Sequence, residues 1–251
     1  FVDVECDPGI ASSDFPIPRP GEGASTRIQH VIVIMRENKT YDAYLGDLVG
    51  HDGMPHGDGE PTLTLFPSAS MDSILPNTRE LARTFAMADN YYSDAEQSIQ
   101  GHVWTTNGRS TDFTERTWLT SWGRGYWAPP PQFTTYPLGY SEEGTAFDWL
   151  VSHGVASEND GEIVSSHGLV FNGRYPGGVF TLAIRDQQRG NYLARHWLFE
   201  CAMPTFTYAL LPDDHTQGLS AGQPTPESMI ADNDEGVGLV AERGAVDAEE
   251  L

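Results

Sequence analysis

The 251-residue sequence predicts an α/β fold with a mainly parallel sheet. Two observations carry this. The apolar, β-branched runs at His30–Met35 and Thr205–Leu211 have the length and composition of buried strands, and segments with helix start signals separate and follow them. Residues 1–26, with "SSDFPIPRPGEGAS", are rich in Pro, Gly and Ser and read as an extended arm or linker, leaving 27–251 as one α/β domain.

In chain order, His30-Val-Ile-Val-Ile-Met35 is a continuous apolar run, the pattern of a strand covered on both faces. It gives way to Arg36-Glu37-Asn38-Lys39, polar groups placed where a central strand delivers side chains to the sheet edge. After a Gly- and His-rich loop (Gly50–Gly59), residues 77–88 read as a helix. Asn77 is placed to cap it with Glu80 three residues on, and Leu81, Phe85 and Ala88 share one face. Residues 101–140 hold Trp104, Trp118, Trp122, Trp127 and Pro129-Pro130-Pro131, and read as a long irregular insertion with aromatic anchors. Thr145–Ser152 reads as a short helix capped by Thr145, and Gly161–Ser165 as a short strand. "RDQQRGNYLARHWLFE" reads as a helix. Thr225-Pro226-Glu227, with Pro at the first helical position, opens another that runs to about Glu242. No internal repeat is present.

Hydrophobic residues at 39% and charged residues at 20% describe a chain with enough apolar material for a core. Against 36 acidic residues stand 14 basic ones, for a net charge of -22, and Lys39 is the one lysine. Such a surface repels phosphate backbones and anionic lipid, which argues against a nucleic-acid coat or a polybasic membrane binder. A phosphate-bearing substrate would need a local positive site, such as a metal ion. No stretch reaches the ~18 apolar residues of a membrane-spanning helix. The start at Phe1, without initiator Met or apolar targeting segment, leads us to expect a processed product, compatible with secretion. Cys6 and Cys201 leave two alternatives open, a long-range disulfide or two unrelated thiols.

Ligands of open α/β sheets sit at the carboxyl ends of strands. Three stretches place reactive groups in such positions: Glu37-Asn38, Asp213-Asp214-His215, and "DNYYSDAEQSIQGHVW" from Asp89 to Trp104. Here "IQHVIVIMRENKTYDAYLGDL" resembles the opening signature of the phosphoesterase family that includes bacterial phospholipases C and acid phosphatase A. The resemblance continues through "LARTFAMADNYYSDAEQSIQGHVWTT", "YPGGVF" and "LPDDHTQG", then "PTPESMIADNDEGVGLV", spanning residues 28 to about 242.

The resemblance implies an alkaline-phosphatase-like α/β/α sandwich and metal-assisted hydrolysis of a phosphoester, a small molecule or a phospholipid headgroup, through a covalent intermediate. It further implies Glu37 and Asn38 as ligands of a divalent metal ion. Ser98 stands where the phospholipases carry a nucleophilic threonine and would also touch the metal. His215 would contact the phosphoryl group or the leaving oxygen, and His102, four residues after Ser98, is a third catalytic candidate. The chemistry is coherent: a serine hydroxyl needs a base or a metal to become a nucleophile. Glu37 and Asn38 supply the oxygen donors a hard or borderline divalent ion takes.

Plainer readings stand beside these. Ser93, Thr105 and Thr106 compete with Ser98, and Asp213-Asp214-His215 also reads as a turn cap. His102 beside Trp104 also reads as a structural hydrogen-bonding histidine. Asp232-Asn233-Asp234 reads as a solvated helix face, and His51 and His56 match no metal-site spacing. Members of the family continue into a further strand and an acidic, His-containing stretch with the remaining ligands, where this chain has "RGAVDAEEL". Three expectations follow. The remaining strands and ligands lie in a missing or separate C-terminal chain; or the protein is a shortened, non-catalytic extracellular binding or structural relative; or Asp213 and Asp214 take over ligation. A sheet without its last strands would have an edge to cover, which makes self-association or strand addition a further expectation.

Overall fold

The computed structural model describes residues 16–18, 23, 25, 27–67, 70–123, 141–163, 170–200 and 203–250, with 118–123, 198–200 and 243–250 described by backbone alone. Cys6, Cys201, Trp127, the proline run and most of the expected arm lie outside the described residues, as do the side chains of Trp118 and Trp122.

The fold is mixed α/β around a three-stranded parallel sheet of order β1-β3-β2, with β1 Val31–Arg36, β2 Ser157–Asp160 and β3 Phe206–Leu211. β3 is central and buried along almost its whole length. β1 is only partly covered, with Val31 44% exposed. Among the described residues it pairs on one side alone, so its apolar run serves a half-covered strand where two-sided burial was expected. β2 falls on the polar "SEND", four residues before the expected Gly161–Ser165 strand. Asn172 donates to Glu158 Oε1 and Asp160 Oδ1 at 2.9 Å and Asn159 bonds both backbone groups of Glu162, which helps so polar a segment form a buried strand, although Asp160 Oδ2 is buried without a partner.

The helices are α1 Tyr41–Leu45, α2 Met71–Ile74, α3 Pro76–Thr84, α4 Ser98–Asn107, α5 Asp112–Gly123, α6 Ala146–Ser152, α7 Asp186–Glu200 and α8 Pro226–Glu250. A 3-10 turn, Asp213–His215, follows β3. α6 starts as the sequence predicts: Thr145 and Asp148 form a reciprocal capping box. The stretch expected to be irregular from residue 101 instead holds most of α4 and all of α5.

α3 departs from its expected cap. Its first residue is Pro76 and its cap position is Leu75, whose apolar side chain cannot accept a capping hydrogen bond. The cap comes from α8: Asp234 accepts the Asn77 and Thr78 backbone N–H groups at 2.9 and 2.8 Å. A carboxylate at a helix start satisfies orphan donors and complements the dipole, here across 156 residues of chain. Phe85 lies beyond the helix, 67% exposed, and the buried face carries Arg79 and Ala82 instead. Arg79 is held by Asp47, Asp72 and the Tyr44 carbonyl at 2.7 to 2.8 Å.

α8 ties the layers together. Ile230 packs with Tyr44, Met71, Ile74 and Leu75, and Val240 with Leu193, Trp197, Tyr175 and Ala209 of β3. Each such large apolar side chain contributes about 1.5–3 kcal/mol by leaving water. α7 and α8 cross at glycines: a Cβ on Gly190 would stand 2.7 Å from the Gly236 carbonyl, and one on Gly236 2.7 Å from that of Asp186. Close backbone approach is what these positions require.

Candidate functional site

Because β1 and β3 run parallel with Arg36 opposite Leu211, and β2 with Asp160 opposite Ala209, all three strands release their next residues at one sheet edge. Glu37, the 213–215 turn and Glu162 therefore converge. Gly161, at φ +101, turns the chain out of β2 where a Cβ would meet the Gly178 carbonyl and the Tyr175 ring at 3.0 Å. Asn159 clamps that turn by accepting the Glu162 N–H at 2.7 Å and donating to its carbonyl at 3.2 Å.

Glu37 is buried, its N–H donated to Asp214 Oδ1 at 2.9 Å. Its carboxylate faces His102 Nε2 at 3.3 Å, and the other ring nitrogen, Nδ1, lies 2.9 Å from both oxygens of Glu162. Burial acts to raise the Glu37 carboxyl, but hydrogen bonds from His102 and the Ser98 hydroxyl and the nearby charges of His102 and His215 outweigh it and hold it below its usual range. Burial opposes charge on His102 too. The Glu162 carboxylate and the hydrogen bonds to Glu162 and Glu37 prevail and lift the imidazole to about 10.

Ser98 is the first residue of α4 and half-buried, and the helix brings His102 one turn behind it. Its competitors are engaged elsewhere: Thr105 and Thr106 hydroxyls donate to the carbonyls of Gly101 and His102, and the Ser93 hydroxyl to that of Ala95. His215 lies near enough for its charge to act on Glu37, with its ring edge-on to Phe180 at 5.5 Å between centroids. Asn38 is exposed, its carbonyl 3.3 Å from Lys39 Nζ, which also donates to the Asp214 carbonyl at 2.5 Å. The structure thus brings together Glu37, Ser98 and His102 with His215 beside them, while Asn38 sits at the rim.

Sequence reasoning missed Glu162, one acid among several in "SENDGEIV", and the part of Asp214, which fixes the Glu37 backbone. Burial raises Asp214 to about 6 against Arg36, the Glu37 N–H and Lys39. Asp232-Asn233-Asp234, expected as a solvated face, is inward: Asn233 and Asp234 are buried, and Arg36 donates to Asn233 Oδ1 at 2.6 Å. His51 pairs with Glu80 and His56 meets the Ala82 carbonyl, so neither joins the site.

Glu37, Ser98 and Asn38 offer oxygen donors alone, which fits a hard or borderline divalent ion in kind. The set is partial: among the described residues no group of three His, Cys, Asp or Glu stands together to hold a metal ion.

The same sheet edge carries a buried carboxyl outside this cluster. Burial, then the charge of Glu158, raises Asp160 to about 8 against a hydrogen bond from Asn172. Burial and Asp186 likewise raise Asp213 to about 8. A raised folded-state value means stability is fully present below the unfolded value of 3.8 and is lost as pH rises through about 8. His102 works in the same direction from 6.5 to about 10. The thermal midpoint is therefore expected to fall between pH 5 and 8.5, and Asp160→Asn to flatten that slope. A midpoint that climbs over this window contradicts the assignment. No helix among the described residues is long and apolar enough to cross a membrane. No family model, no curated protein and no solved structure matches the chain.

Proposed function

We propose that this chain is a metal-dependent phosphoester hydrolase of alkaline-phosphatase-like α/β/α architecture, secreted, with Ser98 as nucleophile. The observation that carries the reading is the meeting, at the carboxyl end of β1, of the buried Glu37 carboxylate with His102 and with half-buried Ser98, the first residue of α4, close enough to act on that carboxylate. Glu37, Ser98 and Asn38 would hold the divalent ion, which when bound supplies Lewis-acid activation of the hydroxyl and cancels phosphate charge. Glu37 itself is a poor proton acceptor, since His102 and Ser98 stabilise its charged form. Its task is to orient the hydroxyl. His102 is a positioning residue, buried and held by Glu162, and it fixes the Glu37 carboxylate rather than reaching substrate.

In the reaction the Ser98 oxygen forms a bond to phosphorus as the bond to the leaving oxygen breaks. The proton Ser98 gives up to solvent is matched by one delivered to the leaving alkoxide, the role this reading gives to His215. Water then cleaves the bond from the serine oxygen to phosphorus, releasing inorganic phosphate from a monoester or the phosphorylated headgroup from a phospholipid diester. Substrates are small phosphoesters or phospholipid headgroups.

One observation favours a second reading, a non-catalytic extracellular binding protein of the same fold: Glu37 and Glu162 are already bridged through His102, so the cluster is stable with no ion bound. Metal removal separates the two. Turnover of p-nitrophenyl phosphate is expected to require a divalent ion, to vanish with a chelator and to return on readdition. No turnover with Zn, Mn, Mg or Ca ions rejects the enzyme.

A further inference from the structure

The chain has a net charge of -22 and a single lysine, and that lysine, Lys39, stands two residues beyond Glu37 at the sheet edge that holds the candidate site. A phosphoryl group brought to this edge approaches the carboxylates of Glu37 and Asp214, so it needs a cation that faces outward. Two neighbouring cations do not serve. The Arg36 guanidinium turns inward, with Nε on Asn233 Oδ1 at 2.6 Å, Nη1 on Thr78 Oγ1 at 2.8 Å and its carbon 5.1 Å from the Tyr44 ring centroid. His102 is 4% exposed and directs both ring nitrogens to Glu37 and Glu162.

Lys39 differs from both. Its side chain is half-buried, and Nζ donates to the Asp214 carbonyl at 2.5 Å and to the Asn38 carbonyl at 3.3 Å. An ammonium has three N–H donors, so two carbonyls leave one for a further acceptor. The Asp214 carbonyl also fixes Nζ beside the turn that carries His215, whose Nδ1 lies 3.0 Å from the Thr216 carbonyl. Burial opposes the charge on Lys39, and the carboxylates of Asp214 and Glu37 support it. An anionic oxygen at the remaining N–H would add to that support.

We propose that Lys39 is the residue by which this site recognises a phosphate dianion: its third N–H donates to a non-bridging phosphoryl oxygen, and the site thereby favours monoesters over diesters. Two arguments select this specificity. Nζ is already held by two carbonyls, so little further side-chain freedom is lost when the anion arrives. A monoester carries a charge of about −1.5 to −2 at neutral pH and a diester about −1, and a fixed point charge attracts the former more strongly. The proposal takes its phosphoryl site from the hydrolase reading above, and its test reads binding rather than turnover so that the two fail separately.

The full chain, in magnesium chloride, is titrated with sodium phosphate and with sodium dimethyl phosphate and followed by amide-resolved NMR. In parallel, Lys39 is amidinated with methyl acetimidate and its peptide is read by mass spectrometry, a clean signal because the chain has one lysine. Saturable protection of Lys39 by phosphate is expected, with dimethyl phosphate bound more weakly. Lys39→Met is expected to weaken phosphate binding roughly tenfold, the loss of one charge-assisted hydrogen bond, and dimethyl phosphate binding by less. Lys39→Arg, which keeps the charge, is expected to restore most of the phosphate affinity. The protection assay uses the unaltered protein and decides the matter should Lys39→Met disturb the turn. Absence of saturable phosphate binding, unchanged amidination in phosphate, or equal affinity for the two anions overturns the proposal. So does a Lys39→Met variant with a lower thermal midpoint and an unchanged ratio of the two affinities, the result expected of a lysine that only holds the Asp214 carbonyl. Lys39-dependent phosphate binding without turnover on any divalent ion rejects the hydrolase reading and upholds this one.

Discussion

Ser98→Ala is expected to lower divalent-ion-dependent turnover of p-nitrophenyl phosphate by roughly 10³-fold or more, with the thermal midpoint unchanged. The effect is large because the hydroxyl is the group that becomes bonded to phosphorus. Stability is spared because Ser98 is half-buried and α4 is capped by Gln97, whose Oε1 accepts the Ile99 and Gln100 N–H groups. Ser98→Thr keeps a hydroxyl and is expected to retain measurable turnover. Ser93→Ala and Thr105→Ala, whose hydroxyls are spent on backbone carbonyls, are expected to leave turnover near the starting value. Turnover of Ser98→Ala within tenfold of the original protein contradicts the assignment of nucleophile.

Asp186→Ala is expected to cost about 3–5 kcal/mol of stability, the magnitude found when one partner of a buried ion pair is removed. Asp186 is fully buried at the start of α7, with Oδ1 on Arg189 Nη1 at 2.7 Å. Its Oδ2 accepts the Asp213 N–H at 2.7 Å and the Asn233 amide at 2.8 Å. Truncation leaves the Arg189 guanidinium, 1% exposed, with backbone carbonyls alone, and leaves two further buried donors unpaired. The contrast is Asp112→Ala, which removes an ion pair to Arg116 that is 85% and 78% exposed, and is expected to change stability little. Urea unfolding measures both. A loss under ~1 kcal/mol for Asp186→Ala contradicts the account of this network.

Periodicity and local start signals made the main elements legible. The apolar runs of β1 and β3, the capping box of α6 and the Pro-led start of α8 all depend on neighbours within a turn or two, and each is where the sequence predicts it. What was illegible depends on partners far along the chain. α3 is capped by Asp234, 156 residues away, so Asn77 looked like a cap and is instead a donor to one. Asp232-Asn233-Asp234 looked solvated because three polar residues in a helix usually are. Here Arg36, Asn77, Thr78, Asp186 and the Leu211 carbonyl satisfy them, which allows burial. β2 was displaced for the same reason.

The site divides along the same line. Glu37, Ser98, His102 and His215 were accessible through motif order and strand-end placement. Glu162 was not, because its role comes from the parallel register that sets the end of β2 beside the end of β3, and from a glycine turn that aims it at His102.

Capture of the covalent intermediate tests the central claim most directly. The protein, loaded with a divalent ion, is mixed with p-nitrophenyl phosphate, quenched in acid and digested for peptide mass spectrometry. The account predicts one phosphoryl group on the peptide that holds Ser98, absent from Ser98→Ala and absent when the ion is chelated. Turnover with phosphate on no residue or on another hydroxyl, or the absence of both turnover and phosphoserine with every divalent ion, contradicts it.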